Sequence, residues 1–100
     1  MVEVELKLDE KGRGAFYAKE GNERLGEMQI AISGTDLTVF HTEVLEKAEG
    51  KGVATKMLET MITYARSHHL MVIPLCPYVN AQFKRHPENY QDVWKKKVSG

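Results

Sequence analysis

The cysteine Cys76 closes the apolar run Leu70-Met71-Val72-Ile73-Pro74-Leu75, and it is the only cysteine in the chain. A histidine, His41, sits in the alternating run Leu37-Thr38-Val39-Phe40-His41-Thr42-Glu43-Val44. A thiol can act as a nucleophile when its pKa is lowered, or as an acid toward a leaving group. Imidazole as a residue type titrates at about 6.5, which suits a general base. Glu43 can serve as a base through water. Each also has a plainer role. Cys76 can be a small apolar core residue, His41 a half-buried strand histidine bonded to a neighbour, and Glu43 a carboxylate at a strand end.

The third feature is the loop Glu49-Gly50-Lys51-Gly52, immediately before a helical pattern. A helix start offers free N–H groups and the positive end of its dipole, which together hold a phosphate. Gly50 and Gly52 let the backbone come close to a ligand. Glu46 and Glu49 would repel an anion there, and Lys47, Lys51 and Lys56 offset them. A pyrophosphate beside a thiol and an imidazole points to a nucleotide-bearing carrier substrate. No metal is expected: His41, His68, His69, His86 and Cys76 show no ligand spacing. Lys95-Lys96-Lys97 reads as a solvated basic tail.

Elements must bring these groups together. Val2–Leu8 alternates with period two, a half-buried strand. Gly14–Lys19, Arg24–Ser33 and Leu37–Val44 continue an antiparallel meander with short turns. Alternation places His41 on the face of Leu37 and Val39, opposite Phe40. Val53, Met57, Leu58, Met61, Ile62 and Ala65 then mark one face of an amphipathic helix. Leu70–Leu75, apolar throughout, reads as a strand buried on both faces, with Pro74 marking where it leaves its neighbour. Val79–Arg85 and Asn89–Lys97 read as short helices. A strand, a helix and a second strand form a parallel β-α-β unit with a right-handed crossover. Its strand ends place His41, Thr42, Glu43, Val44, Cys76 and Tyr78 together, where open α/β sheets bind ligands.

Composition bounds the rest. One hundred residues make one domain, 1–100, and 42% hydrophobic residues supply one modest core. Fourteen Lys and Arg balance fourteen Asp and Glu, so the net charge is zero and a nucleic-acid partner is the weakest reading. One cysteine excludes an intrachain disulfide, and with it a disulfide-stapled secreted fold. Met1–Lys7 lacks the pattern of a signal peptide. The apolar run ending at Cys76 is far short of the roughly 20 residues that span a bilayer. The expectation is a cytoplasmic protein with no membrane partner, a monomer or weak homodimer.

Glu49-Gly50-Lys51-Gly52-Val53-Ala54 resembles the acetyl-CoA loop of the GNAT N-acetyltransferase superfamily: Gln or Arg, two residues, Gly, one residue, Gly or Ala. Gly52 and Ala54 match, and Glu49 stands where Gln or Arg is usual. Together with His41-Thr42-Glu43-Val44, Ala65-Arg66, Ile73–Val79 and Arg85-His86-Pro87-Glu88, the loop is similar to a family of small stand-alone GNAT-like domains.

The resemblance implies a mixed α+β (α/β) chain with the acyl-CoA N-acyltransferase fold. In it an antiparallel meander leads into a β-α-β unit whose parallel central strands splay apart. It implies acetyl-CoA as co-substrate, with pyrophosphate on the helix start and pantetheine in the splay. Val44, Glu49, Gly50, Lys51, Gly52, Val53, Ala54 and Thr55 would contact it, with Asn80 and Phe83 on the following helix. Lys84-Arg85-His86 would reach the adenosine phosphate or face solvent. Cys76, His41 and Glu43 become catalytic candidates, and Tyr78 or Tyr90 could protonate the leaving thiolate. Larger relatives hold the acceptor with two helices after the first strand, where this chain has only Asp9-Glu10-Lys11-Gly12. The expected function is a minimal N-acetyltransferase acting on an unknown amine. The alternative is a CoA-binding or acyl-CoA-binding module without turnover.

Overall fold

The computed structural model describes residues 1–95. Four strands come first: β1 (Glu3–Leu8), β2 (Arg13–Glu20), β3 (Glu23–Ser33) and β4 (Asp36–Val44). They pair in sequence order, each antiparallel to the last. A 3-10 turn, Glu46–Ala48, leads to the helix α1 (Val53–Ser67). The strand β5 (Met71–Pro74) then pairs parallel to β4, followed by α2 (Pro77–Arg85) and the single turn α3 (Pro87–Tyr90). The result is a mixed five-stranded sheet in which a helix connects the two parallel strands, as the sequence pattern implied.

Helix α1 forms because its apolar residues recur at helical spacing, and it buries that face on the sheet. Val53, Met57, Leu58, Met61, Ile62 and Ala65 are all buried. Burying each of the larger side chains stabilises the fold by roughly 1.5–3 kcal/mol. The sheet answers with Phe16, Ala18, Met28, Ile30, Leu37 and Val39. Gly26 on β3 lets the two layers close. A Cβ there would lie 2.8 Å from the Glu43 carbonyl oxygen and 3.1 Å from Met57 Cε. The opposite face of the sheet carries Gln29, Phe40, His41 and Glu43, all exposed.

The alternation in β4 breaks once. Ile30 pairs with Val39 and Gln29 with His41, which leaves Phe40 as an extra residue, a β-bulge. A bulge shifts every later side chain to the other face. His41 therefore does not share the face of Leu37 and Val39, as strict alternation required. Thr42 and Val44 take that inner face, and His41 and Glu43 point outward.

Two other expectations change. β5 is shorter than its apolar run and is not buried on both faces: Val72 is fully buried, while Leu75 is 61% exposed. Only one helical layer covers the sheet here, so a uniformly apolar run does not imply burial on both sides. The predicted helix Asn89–Lys97 is also absent among the described residues. After α3 the chain turns, Val93 buries itself, and Trp94 makes a parallel bridge to Val72. Val72 donates its N–H to Val93 and accepts from Lys95, at 2.6 and 2.9 Å. These contacts cover the outer edge of β5, and Trp94 packs edge-on against Phe83 with ring centroids 5.5 Å apart. Of the predicted basic tail, Lys95 is ion-paired with Asp36 and not simply solvated, while Lys96 and Lys97 lie outside the described residues. No helix among the described residues is long and apolar enough to cross a membrane.

Candidate active site

β4 and β5 pair from Asp36 opposite Met71 to Val39 opposite Pro74. The last link is the Cys76 N–H donating to the Val39 carbonyl at 2.8 Å. Beyond it β5 turns away into α2, and β4 continues through Phe40–Val44 with that edge unpaired among the described residues. Pro74 stands where the pairing ends. The Leu45 N–H donates to Leu25 on the β3 side at 2.9 Å. Backbone groups alternate along a strand, so Thr42 and Val44 direct theirs into the gap.

The start of α1 closes one end of this gap. Gly52 holds a left-handed φ of 75° at the N-cap, and no side chain caps the helix. No acidic residue occupies its first turn. The first-turn N–H groups of Val53, Ala54 and Thr55 thus face outward without a side-chain acceptor. Val44, Ala48, Glu49, Gly50, Gly52, Val53, Ala54, Thr55 and Tyr78 line a cleft of about 290 Å³. The loop is fixed at its N-terminal end: Ala48 is buried, and Lys47 pairs with Glu23 at the start of β3. The backbone N–H of Lys51 donates to Ala48 at 3.2 Å, so the loop's own turn uses it.

Cys76 lies at the mouth of the gap, 1% exposed. Its Sγ is 3.2 Å from Thr42 Oγ1, where either group can donate. Thr42, which the strand ends placed beside Cys76 without a role, is therefore part of the constellation. His41 and Glu43 lie on the outer face, exposed, with Nε2 and Oε2 4.0 Å apart. The structure thus brings Cys76 to Thr42 and His41 to Glu43, as two pairs on opposite faces of β4.

The α2 residues differ in role. Asn80 is half-buried, and its N–H makes the first helical bond, to the Cys76 carbonyl at 2.9 Å. Phe83 is fully buried, stacked on Tyr90 with centroids 4.7 Å apart, a core position and not a wall of the cleft. Burial pushes the Tyr90 hydroxyl's pKa up, with nearby Tyr78 and Glu59 adding to it, which keeps that hydroxyl protonated. Among the described residues, no group of three His, Cys, Asp or Glu side chains is arranged to hold a metal.

Residues 15–93 match the family model described as GCN5-related N-acetyl-transferase. No curated protein matches the sequence. Solved structures do. A GCN5-like protein from Staphylococcus aureus, solved in solution, is 26% identical with a TM-score of 0.67, over 95% of this chain and 91% of that one. A ribosomal-protein-alanine N-acetyltransferase from Brucella melitensis biovar Abortus is 12% identical with a TM-score of 0.69, over 100% and 96%. An IAA acetyltransferase from Bacillus cereus is 14% identical with a TM-score of 0.64, over 89% and 75%. At such low identity the last two establish a shared fold.

Proposed function

Because the chain belongs to the GCN5-related N-acetyltransferase family, we propose that it transfers the acetyl group of acetyl-CoA to an amine by direct attack in a ternary complex. The observation that carries this reading is the cleft itself, an unpaired strand edge that runs into an uncapped helix start.

Each half of the cleft fits one part of the co-substrate. The N–H groups at the start of α1 suit the pyrophosphate, with the loop backbone of Gly50 to Thr55 around it. Glu49 contributes through its backbone while its carboxylate stays in solvent. Thr42 and Val44 offer backbone donors and acceptors to the pantetheine amides, and Asn80 stands on the helix facing that arm. Phe83 positions α2 from within the core.

The amine nitrogen attacks the thioester carbonyl carbon, the carbon–sulfur bond breaks, and the CoA thiolate leaves. The amine approaches from the outer face, where His41, beside Glu43, takes its proton. Backbone N–H groups in the gap stabilise the developing oxyanion. Tyr78, on the cleft wall, supplies a proton to the thiolate. Cys76 shapes the gap and bonds to Thr42. Its burial beside a neutral hydroxyl gives little support to a covalent acetyl-enzyme.

The second reading is a module that binds CoA or acyl-CoA without turnover. It is favoured by the carboxylate of Glu49 in the loop and by the separation of His41 from Cys76. Calorimetric titration with acetyl-CoA, followed by thiol release over a panel of polyamines, amino acids, antibiotics and lysine peptides, decides between the two. Binding with free thiol supports transfer, and binding without it supports the module. No binding at millimolar concentration removes both.

A further inference from the structure

The outer face of the sheet holds an open groove of about 600 Å³ that the cleft does not use. Its floor is the small residue Ala31 on β3. Arg13 stands directly across from Ala31 on β2, Phe40 rises from the bulge in β4, and Lys11, Gln29 and Ser33 close the rim. Phe40 is 47% exposed, a large aromatic ring presented to solvent. Asp9 accepts the backbone N–H groups of Lys11 and Arg13 at 2.8 and 2.9 Å, and these bonds, with the nearby Arg13 charge, lower its pKa. Neither side chain forms an ion pair among the described residues, whereas Lys7, Lys47, Arg66 and Lys95 all do.

The groove leads to the reaction gap. Gln29 lines it and pairs across the ladder with His41, and Glu43 follows two residues on. From Arg13 on β2 to His41 and Glu43 on β4 is two strand spacings sideways and two to four residues along. That is roughly 12–16 Å by standard sheet dimensions. An extended chain of about four residues covers this length.

We propose that the acceptor is the free amino terminus of a peptide chain lying extended across this face. Its amine meets His41 and Glu43, its body packs on Phe40, and an acidic side chain at about the fourth position is held by Arg13 and Lys11. The inference rests on the acetyl-transfer reading for the direction in which the peptide runs. The chemistry favours an acidic residue at the far end because the two charged residues that line the groove, Lys11 and Arg13, are both cations, and like charges across an interface select against a basic one. The carboxylates of Glu43 and Glu27, near His41 on β4 and β3, suit the cationic amine at the near end. Gln29 Nε2 donates to Glu27 there at 3.0 Å.

The test uses two tetrapeptides with free amino termini and amidated C-termini, Ala-Ala-Ala-Glu and Ala-Ala-Ala-Lys. Each is titrated into the full chain while backbone amide NMR shifts are followed, with CoA titrated separately. The expected result is shifts at Arg13, Gln29, Ala31 and Phe40, and at least about tenfold tighter binding of the Glu peptide. Arg13→Glu should reverse that preference, and Phe40→Ala should weaken both peptides. Arg13 and Phe40 are exposed, so both variants retain the fold. Equal affinity for the two peptides, or shifts confined elsewhere, overturns the proposal. If CoA shifts residues 50–55 while the peptides do not discriminate, this inference alone falls. If the Glu peptide binds in the groove and CoA does not bind at all, the groove stands as a peptide site and the acetyl-transfer reading falls.

Discussion

The hydroxyl of Thr42 and the thiol of Cys76 lie 3.2 Å apart across the point where β4 and β5 separate. This contact continues the strand pairing by one side-chain bond after the backbone ladder has ended at Cys76 N–H and Val39. It also occupies the thiol, and with Cys76 1% exposed the sulfur has little access to a substrate carbonyl.

Cys76→Ala is therefore expected to retain thiol release to within about tenfold of the parent rate. It should lose about 1–2 kcal/mol of stability, the scale of a small core truncation. Cys76→Ser, which keeps a polar partner for Thr42 in a buried place, should cost a similar amount. Intact-mass spectrometry after incubation with acetyl-CoA should find no acetyl group on Cys76. A stable adduct, or a rate loss beyond about a thousandfold in Cys76→Ala, would show that the thiol carries the acetyl group.

The base belongs to the other face of the strand. His41→Ala should lower kcat/KM by about 10²–10⁴-fold, the usual scale for a positioned general base. Glu43→Gln, which removes the carboxylate 4.0 Å from His41, should lower kcat/KM by less than His41→Ala does. A His41→Ala variant that keeps the parent kcat/KM would remove His41 from the mechanism.

The path to this assignment shows what local pattern can carry. The period of α1 and the glycine loop before it were legible, because each depends on neighbours within a few residues, and the parallel return of β5 followed from the order strand, helix, strand. The bulge at Phe40 was not. Ile30 and Gln29 select Val39 and His41 as partners across another strand, and no residue type marks the skipped position. The side of β4 that faces Cys76 therefore had to come from tertiary pairing. The same is true of Trp94. Its bridge to Val72 joins positions far apart in sequence, and a helical pattern at the C-terminus gave way to the burial of Val93 and the edge of β5.

Gly26 tests the link between packing and the cleft. Gly26→Ala places a methyl group 2.8 Å from the Glu43 carbonyl oxygen, a backbone atom that cannot rotate away. β4 must shift or α1 must lift, at a cost of about 1–3 kcal/mol. Either movement disturbs the gap beside Val44 and Val53, so affinity for CoA should fall together with the melting temperature. A variant that melts lower yet binds CoA as tightly as the parent would show that the cleft tolerates movement of this layer.

Arg66 and Asp92 give the fold a modest pH dependence. The guanidinium bonds Asp92 at 2.8 and 3.1 Å and also donates to the Asn89 carbonyl at 2.7 Å, tying the segment after α2 to α1. The Arg66 hydrogen bond holds the Asp92 carboxyl's pKa below its ordinary value, and Asp92 holds that of Arg66 up. A carboxylate whose folded pKa is depressed stabilises the fold above its unfolded pKa, about 3.9, and that contribution fades as pH falls through the folded value. Both side chains are about half exposed, so solvent screening limits the pair to under about 1 kcal/mol. Asp92→Asn should therefore lower stability slightly at pH 7 and leave it unchanged near pH 2. Arg66→Ala should cost more at both, because it also strands the Asn89 carbonyl. Urea unfolding of the three proteins at the two pH values checks this. Equal losses for the two variants at pH 7 would mean that the Asn89 bond contributes nothing, and that the ion pair alone ties this segment to α1.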